Sequence, residues 1–151
     1  MPRTVSLLTL LVLTVASLPA QSGQWNTGDL VQPKQLADRL KDAKGNKPLL
    51  IEVSFPILFR NRRIPGAVFA GPGAKPEGIE QLKKAAAGLA KDREIVLYCG
   101  CCPMVQCPNV RPALSALRAL GFQRVKVLFI ESNLAKDWID QGYPIARGPV
   151  Q

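Results

Sequence analysis

Short apolar, β-branched runs alternate along this chain with segments of helical periodicity, and this alternation constrains the fold more than any other feature. PLLIEVSF reads as a buried strand from Leu49 to Val53, and AVFA at 67–70 as a second short apolar piece. EIVLYC, from Glu94 to Cys99, is the clearest strand, and VKVLFI at 125–130 is the last. Pro33 suits the first turn of a helix carrying Leu36, Leu40 and Ala43 at helical spacing, with Gly45 to end it. Gly78 to Ala90 places Ile79, Leu82, Ala86 and Leu89 on one face. Val110 to Leu120 turns Leu114, Leu117 and Leu120 inward and stops at Gly121, and Asn133 can cap a last helix ending near Gly142. The alternation predicts an α/β domain of three α/β/α layers, its mostly parallel sheet covered on both faces. At 151 residues the chain has room for one such core, expected over 33–147. Ligands of these sheets sit beyond the carboxyl ends of the strands, which is where Cys99 falls.

The first twenty residues read as an address. Arg3 precedes an apolar stretch from about Val5 to Leu18, and small residues follow, the layout of a signal peptide cleaved after Ala20 or Ser17. Thr9, Thr14, Ser17 and Pro19 dilute the centre of the stretch, which argues against a retained membrane anchor. The mature protein is then expected in the periplasm or secreted, without stable membrane insertion, where disulfides can persist. Residues 21–32, polar and with two glycines, read as a lead-in rather than packed structure.

The chain has no histidine. That excludes Ser-His-Asp and Cys-His nucleophilic sites and every imidazole metal site, so a nucleophile here needs another source of activation. Twenty Lys and Arg against eleven Asp and Glu favour small anionic partners. The densest basic cluster, Arg60, Arg62 and Arg63, has no interleaved aromatic platform, so nucleic acid is not expected as a partner and a solvated basic surface is. All four cysteines, Cys99, Cys101, Cys102 and Cys107, lie within nine positions, directly after the clearest strand.

Several pieces resemble the rhodanese family in their order and spacing. RRIPGAVFAG resembles its Ile-Pro-Gly-Ala turn into a short strand. LLIEVS, with Glu52 in the acidic position, then EIVLYC, RPALSALRALGF, VKVLFI and WIDQGYPI follow in family order over residues 33–146. The resemblance implies sulfur transfer. Cys99 matches the cysteine that takes sulfane sulfur from a small anionic donor such as thiosulfate, holds it as a persulfide and passes it to a thiol acceptor. Converging backbone N–H groups and a helix N-terminus can lower the pKa of such a thiol, and Arg111 can add to that and help bind the donor.

The loop departs from the family pattern. It reads YCGCCPMVQCPNVRPA, with Arg111 twelve positions after Cys99 instead of about five. Pro103 and Pro108 supply no N–H, and the longer loop of related phosphatases does not fit either. Three readings of the extra cysteines stay open. Cys101, Cys102 or Cys107 resolves or relays the sulfur of Cys99. Alternatively Cys99, Cys101, Cys102 and Cys107, with Met104 nearby, hold Cu(I) or zinc. Or Cys101 or Cys102 pairs with Cys107 in a structural disulfide. Arg111 is either the family arginine displaced by the insertion or a first-turn surface residue. Asn109 reads as a helix N-cap and Glu52 as a structural acceptor or loop-orienting group. Trp138 and Tyr143 read as packing residues, and Trp25 has no assigned role.

Overall fold

The structure is a computed structural model and describes residues 25–149. The expected signal peptide over 1–20 and the start of the lead-in lie outside the described residues. The strands are β1 (Leu30–Val31), β2 (Leu49–Glu52), β3 (Val68–Phe69), β4 (Ile95–Tyr98) and β5 (Val125–Leu128). The helices are α1 (Pro33–Lys41), α2 (Pro56–Asn61), α3 (Pro76–Ala85) and α4 (Val110–Ala119). Short 3-10 turns at Thr27–Asp29 and Met104–Gln106 and a π-helical turn at Ala135–Ile139 complete the set.

The five strands form one sheet in the order β1-β5-β4-β2-β3, and every pairing is parallel. This is the three-layer α/β class expected from the alternation. Central β4 is buried along its whole length, Ile95, Val96, Leu97 and Tyr98 all at 0% exposure, so both its faces are covered. Helices α3 and α4 pack on each other, α3 against β3 and α4 against β4 and β5. Leu36 of α1 and Trp138 of the π-helical turn join the same core. Helices α1, α2 and α3 each begin with a proline, whose fixed φ and missing N–H cost nothing in a first turn. Among the described residues no helix is long and apolar enough to cross a membrane.

Four details differ from the sequence reading. The lead-in over 21–32 is packed at its end, where Leu30 and Val31 pair with Val127 and Leu128 to make an edge strand. Two residues are too few to show an alternation. Helix α2 was not expected, because six residues show no periodicity; Pro56 at its start was the one signal. Helix α3 stops at Ala85 instead of Ala90, since Gly88 takes a left-handed φ of 75° that a continuing helix forbids. The last helix is a π-helical turn, closed by Asp140 N donating to Ala135 O at 2.8 Å. Asn133 caps it as expected, its Oδ1 accepting from Lys136 N at 3.1 Å.

Candidate active site

The end of β4 delivers Cys99 into the interior, where it is 3% exposed. Gly100 then turns the chain with a φ of 72°, and a Cβ there would stand 2.8 Å from that of Leu134. Two backbone hydrogen bonds tie the loop down, Leu134 N to Gly100 O at 3.0 Å and Met104 N to Ile130 O at 2.8 Å. Between these ties Cys101 and Cys102 are half-buried, and past the 3-10 turn Cys107 is buried at the foot of α4.

The folded loop gathers the thiols. Cys99 Sγ lies 3.2 Å from Cys101 Sγ, which lies 3.0 Å from Cys102 Sγ. The sulfurs of Cys99, Cys101 and Cys107 are all within 4.8 Å of one another. Cys99 and Cys107, with Cys102, face a cavity of about 10 Å³ whose walls also include Met104 and the apolar Val110 and Leu128. That is room for one water-sized atom. All four cysteines are unbridged. Three converging sulfurs are a donor set that a soft, low-coordinate cation such as Cu(I) accepts, whereas tetrahedral zinc asks for a fourth ligand.

The thiols do not share charge equally. Cys107 accepts a hydrogen bond from the Cys99 thiol, and the backbone N–H groups of Asn109 and Val110 also point at it. Together these hold Cys107 down to about 6 against the opposing effect of burial. The same hydrogen bond to Cys107, followed by burial, pushes the Cys99 thiol up. Cys102 is pushed up to about 12, first by burial and then by its hydrogen bond with Cys101. These directions favour the negative charge on Cys107 and the proton of the pair on Cys99.

Asn109 does not cap α4 with its side chain, contrary to its sequence reading. Its backbone is already helical (φ −88°, ψ −34°), so the side chain is free to face the loop. It is 2% exposed. Its Nδ2 donates to Cys99 Sγ at 3.4 Å and its Oδ1 accepts from Ala74 N at 3.1 Å. Asn109 thus positions Cys99 and pins a neighbouring loop, a role that local spacing could not reveal.

Arg111, which reads either as the displaced family arginine or as a first-turn surface residue, has its guanidinium stacked over the Trp25 ring at 4.0 Å. This also gives Trp25 a role. Arg63 is not simply a solvated cation. It stacks over Phe59 at 4.7 Å and donates to Gly148 O at 3.1 Å, which ties the C-terminal segment to α2. Trp138 and Tyr143 are packing residues as expected, their rings 5.0 Å apart. Glu52, at the end of β2 and in register with Tyr98, is 1% exposed. Ser54 Oγ donates to its Oε1, and Oε2 has no hydrogen-bond partner among the described residues. Burial pushes its carboxyl up to about 7, opposed by the hydroxyls of Ser54 and Tyr98 and by the charges of Arg62 and Arg63.

Comparison with known proteins agrees with this fold. The Alr3790 protein from Anabaena sp. superposes with a TM-score of 0.59 at 22% identity, covering 78% of this chain and 82% of that one. The BH2092 protein from Bacillus halodurans gives 0.60 at 21% identity over 78% and 75%. A thiosulfate sulfurtransferase from Pseudomonas aeruginosa gives 0.56 at 25% identity over 80% of this chain, which spans only 19% of that longer protein. No curated protein sequence matches. The family described as the rhodanese-like domain matches residues 32–129, from the start of α1 past the end of β5. With that match over most of its length and the five-stranded parallel sheet behind the cysteine loop, this chain belongs to the rhodanese-like domain family.

Proposed function

We propose that this domain is an exported sulfurtransferase that carries sulfane sulfur as a persulfide on Cys99. The observation that carries the reading is the place of Cys99, a free thiol at the carboxyl end of the central strand with two further sulfurs within 4.8 Å. Its sulfur attacks the terminal sulfur of the donor while its proton passes to Cys107 along their hydrogen bond. With thiosulfate the S–S bond of the donor breaks, sulfite leaves with the bonding pair, and Cys99 is left as a persulfide. A single terminal sulfur atom matches the small cavity. The likeness to the Pseudomonas thiosulfate sulfurtransferase makes thiosulfate the donor to try first.

The test is sulfite formed from thiosulfate by the mature, reduced protein with no other thiol present. About one sulfite per protein is expected in the first turnover, and none from Cys99→Ser. Full sulfite formation by Cys99→Ser overturns the assignment of the nucleophile. No sulfite from either protein, with a metal ion retained on the thiols, reduces the family resemblance to one of fold.

A further inference from the structure

We propose that Cys107 is the resolving thiol of this site: it attacks the inner sulfur of the Cys99 persulfide, closes a Cys99–Cys107 disulfide and expels the outer sulfur as hydrosulfide. This rests on Cys99 carrying the persulfide, as above. The step balances. The bond between Cys99 Sγ and the outer sulfur breaks, a bond from Cys107 Sγ to Cys99 Sγ forms, and the outer sulfur leaves with the pair and the proton from Cys107. The sulfane sulfur is reduced and the two thiols are oxidised. An external dithiol, in two exchange steps, returns the disulfide to the starting thiols.

Access argues for an internal partner. Cys99 is 3% exposed and faces a cavity of about 10 Å³, so a persulfide there is shielded from a bulky acceptor thiol. Cys107 is already inside, within 4.8 Å of Cys99 and Cys101. The only product that has to leave is hydrosulfide, which is small and a less basic leaving group than an alkyl thiolate.

The structure also separates Cys107 from the other two thiols. Backbone N–H groups of Asn109 and Val110 at the start of α4 face Cys107, whose sulfur is held within 4.8 Å of that of Cys99. Cys102 is not one of the three sulfurs that lie within 4.8 Å of one another. Cys101 lies at 3.2 Å but is only two residues from Cys99, and closing so small a ring strains disulfide geometry. Both Cys101 and Cys102 are half-exposed, where a dithiol from outside can reach them and pass its electrons inward.

The experiment is one turnover of the full mature protein, reduced and freed of reductant, with thiosulfate in the absence of oxygen. Sulfite reports loading and hydrosulfide reports resolution. Wild type is expected to give both in equal amounts and to lose two hydrogens by intact mass, with Cys99 and Cys107 joined on peptide mapping. Cys107→Ser is expected to give the sulfite, keep one extra sulfur on Cys99, and release hydrosulfide at least roughly tenfold more slowly. The peptide map of the wild type needs no variant, so a misfolded Cys107→Ser leaves the test intact. Wild type that keeps the sulfur on Cys99, moves it to Cys107 without hydrosulfide, or joins Cys99 to Cys101 overturns the inference while loading stands. No sulfite from wild type overturns the loading reading instead.

Discussion

Glu52 and Cys107 are both buried acids near the carboxyl end of the sheet, one as the last residue of β2, the other in the loop that leaves β4. The fold moves them in opposite directions. Against burial Glu52 has the hydroxyls of Ser54 and Tyr98 and the charges of Arg62 and Arg63, and its carboxyl still rises to about 7. Cys107 has the Cys99 thiol and two backbone N–H groups directed at its sulfur, and it falls to about 6. Burial acts against charge at both places, so the difference lies in the donors. The start of a helix offers N–H groups with no other partner, and the end of a strand in a parallel sheet does not. Placing a group at the carboxyl edge of this sheet is therefore not enough to charge it.

The largest effect expected from this comparison is on thiol reactivity. In wild type, alkylation followed against pH should show one thiol titrating near 6. In Cys107→Ser that phase should vanish, and the rate at pH 7 should fall by roughly ten- to a hundredfold as only ordinary or raised thiols remain. The sign for stability follows from linkage. The folded pKa lies below that of the unfolded chain, so Cys107 stabilises the fold above the unfolded value of 9.0, and this contribution is lost as pH falls through about 6. If the titration near 6 survives in Cys107→Ser, the charge belongs to another cysteine and the contrast with Glu52 breaks.

The next largest is on Glu52, where the sign is reversed. The folded protein holds this proton up to about 7, while the unfolded chain gives it up near 4.5. Stability from this group is thus present below 4.5 and lost as pH rises through about 7, by about 3 kcal/mol in all. Glu52→Gln keeps the shape and removes the titration. Its urea-unfolding free energy should gain on wild type steadily between those two pH values and run parallel to it elsewhere. A constant difference across the window would mean that the carboxylate is already compensated.

How much of this was legible in the sequence depends on how local the cause is. Strands β2, β4 and β5 and helices α1, α3 and α4 carry their own periodicity, and all were read close to their places. Strand β1 and helix α2 are too short to carry a signal and exist because neighbours hold them, β1 against Val127 and Leu128 of β5. The cysteines were legible as a cluster because they are contiguous. Which of them is the thiolate was not, because that depends on how the loop brings Cys107 under the N–H groups of Asn109 and Val110. Asn109 reads as a cap because its neighbours in sequence are a helix start; its partners, Ala74 and Cys99, come from elsewhere in the chain. The pairing of Trp25 with Arg111 is hidden for the same reason.

Arg111 gives the smallest expected effect and sharpens the contrast from the side of the cations. If backbone donors charge Cys107, the arginine is not needed for that purpose and its flat guanidinium serves Trp25, at 4.0 Å. A stacked guanidinium at a partly exposed ring contributes about 0.5–1 kcal/mol. Lysine keeps the charge but not the plane, so Arg111→Lys and Arg111→Ala should lose that stability alike in urea unfolding. Both should leave the titration of Cys107 near 6 where it is. A different pattern would reassign the residue. If Arg111→Lys is as stable as wild type, and Arg111→Ala alone needs more thiosulfate for half-maximal sulfite formation, the charge matters and the plane does not. Arg111 would then belong to donor binding, and the anion-binding edge of the site would draw on a side chain as well as on the start of α4.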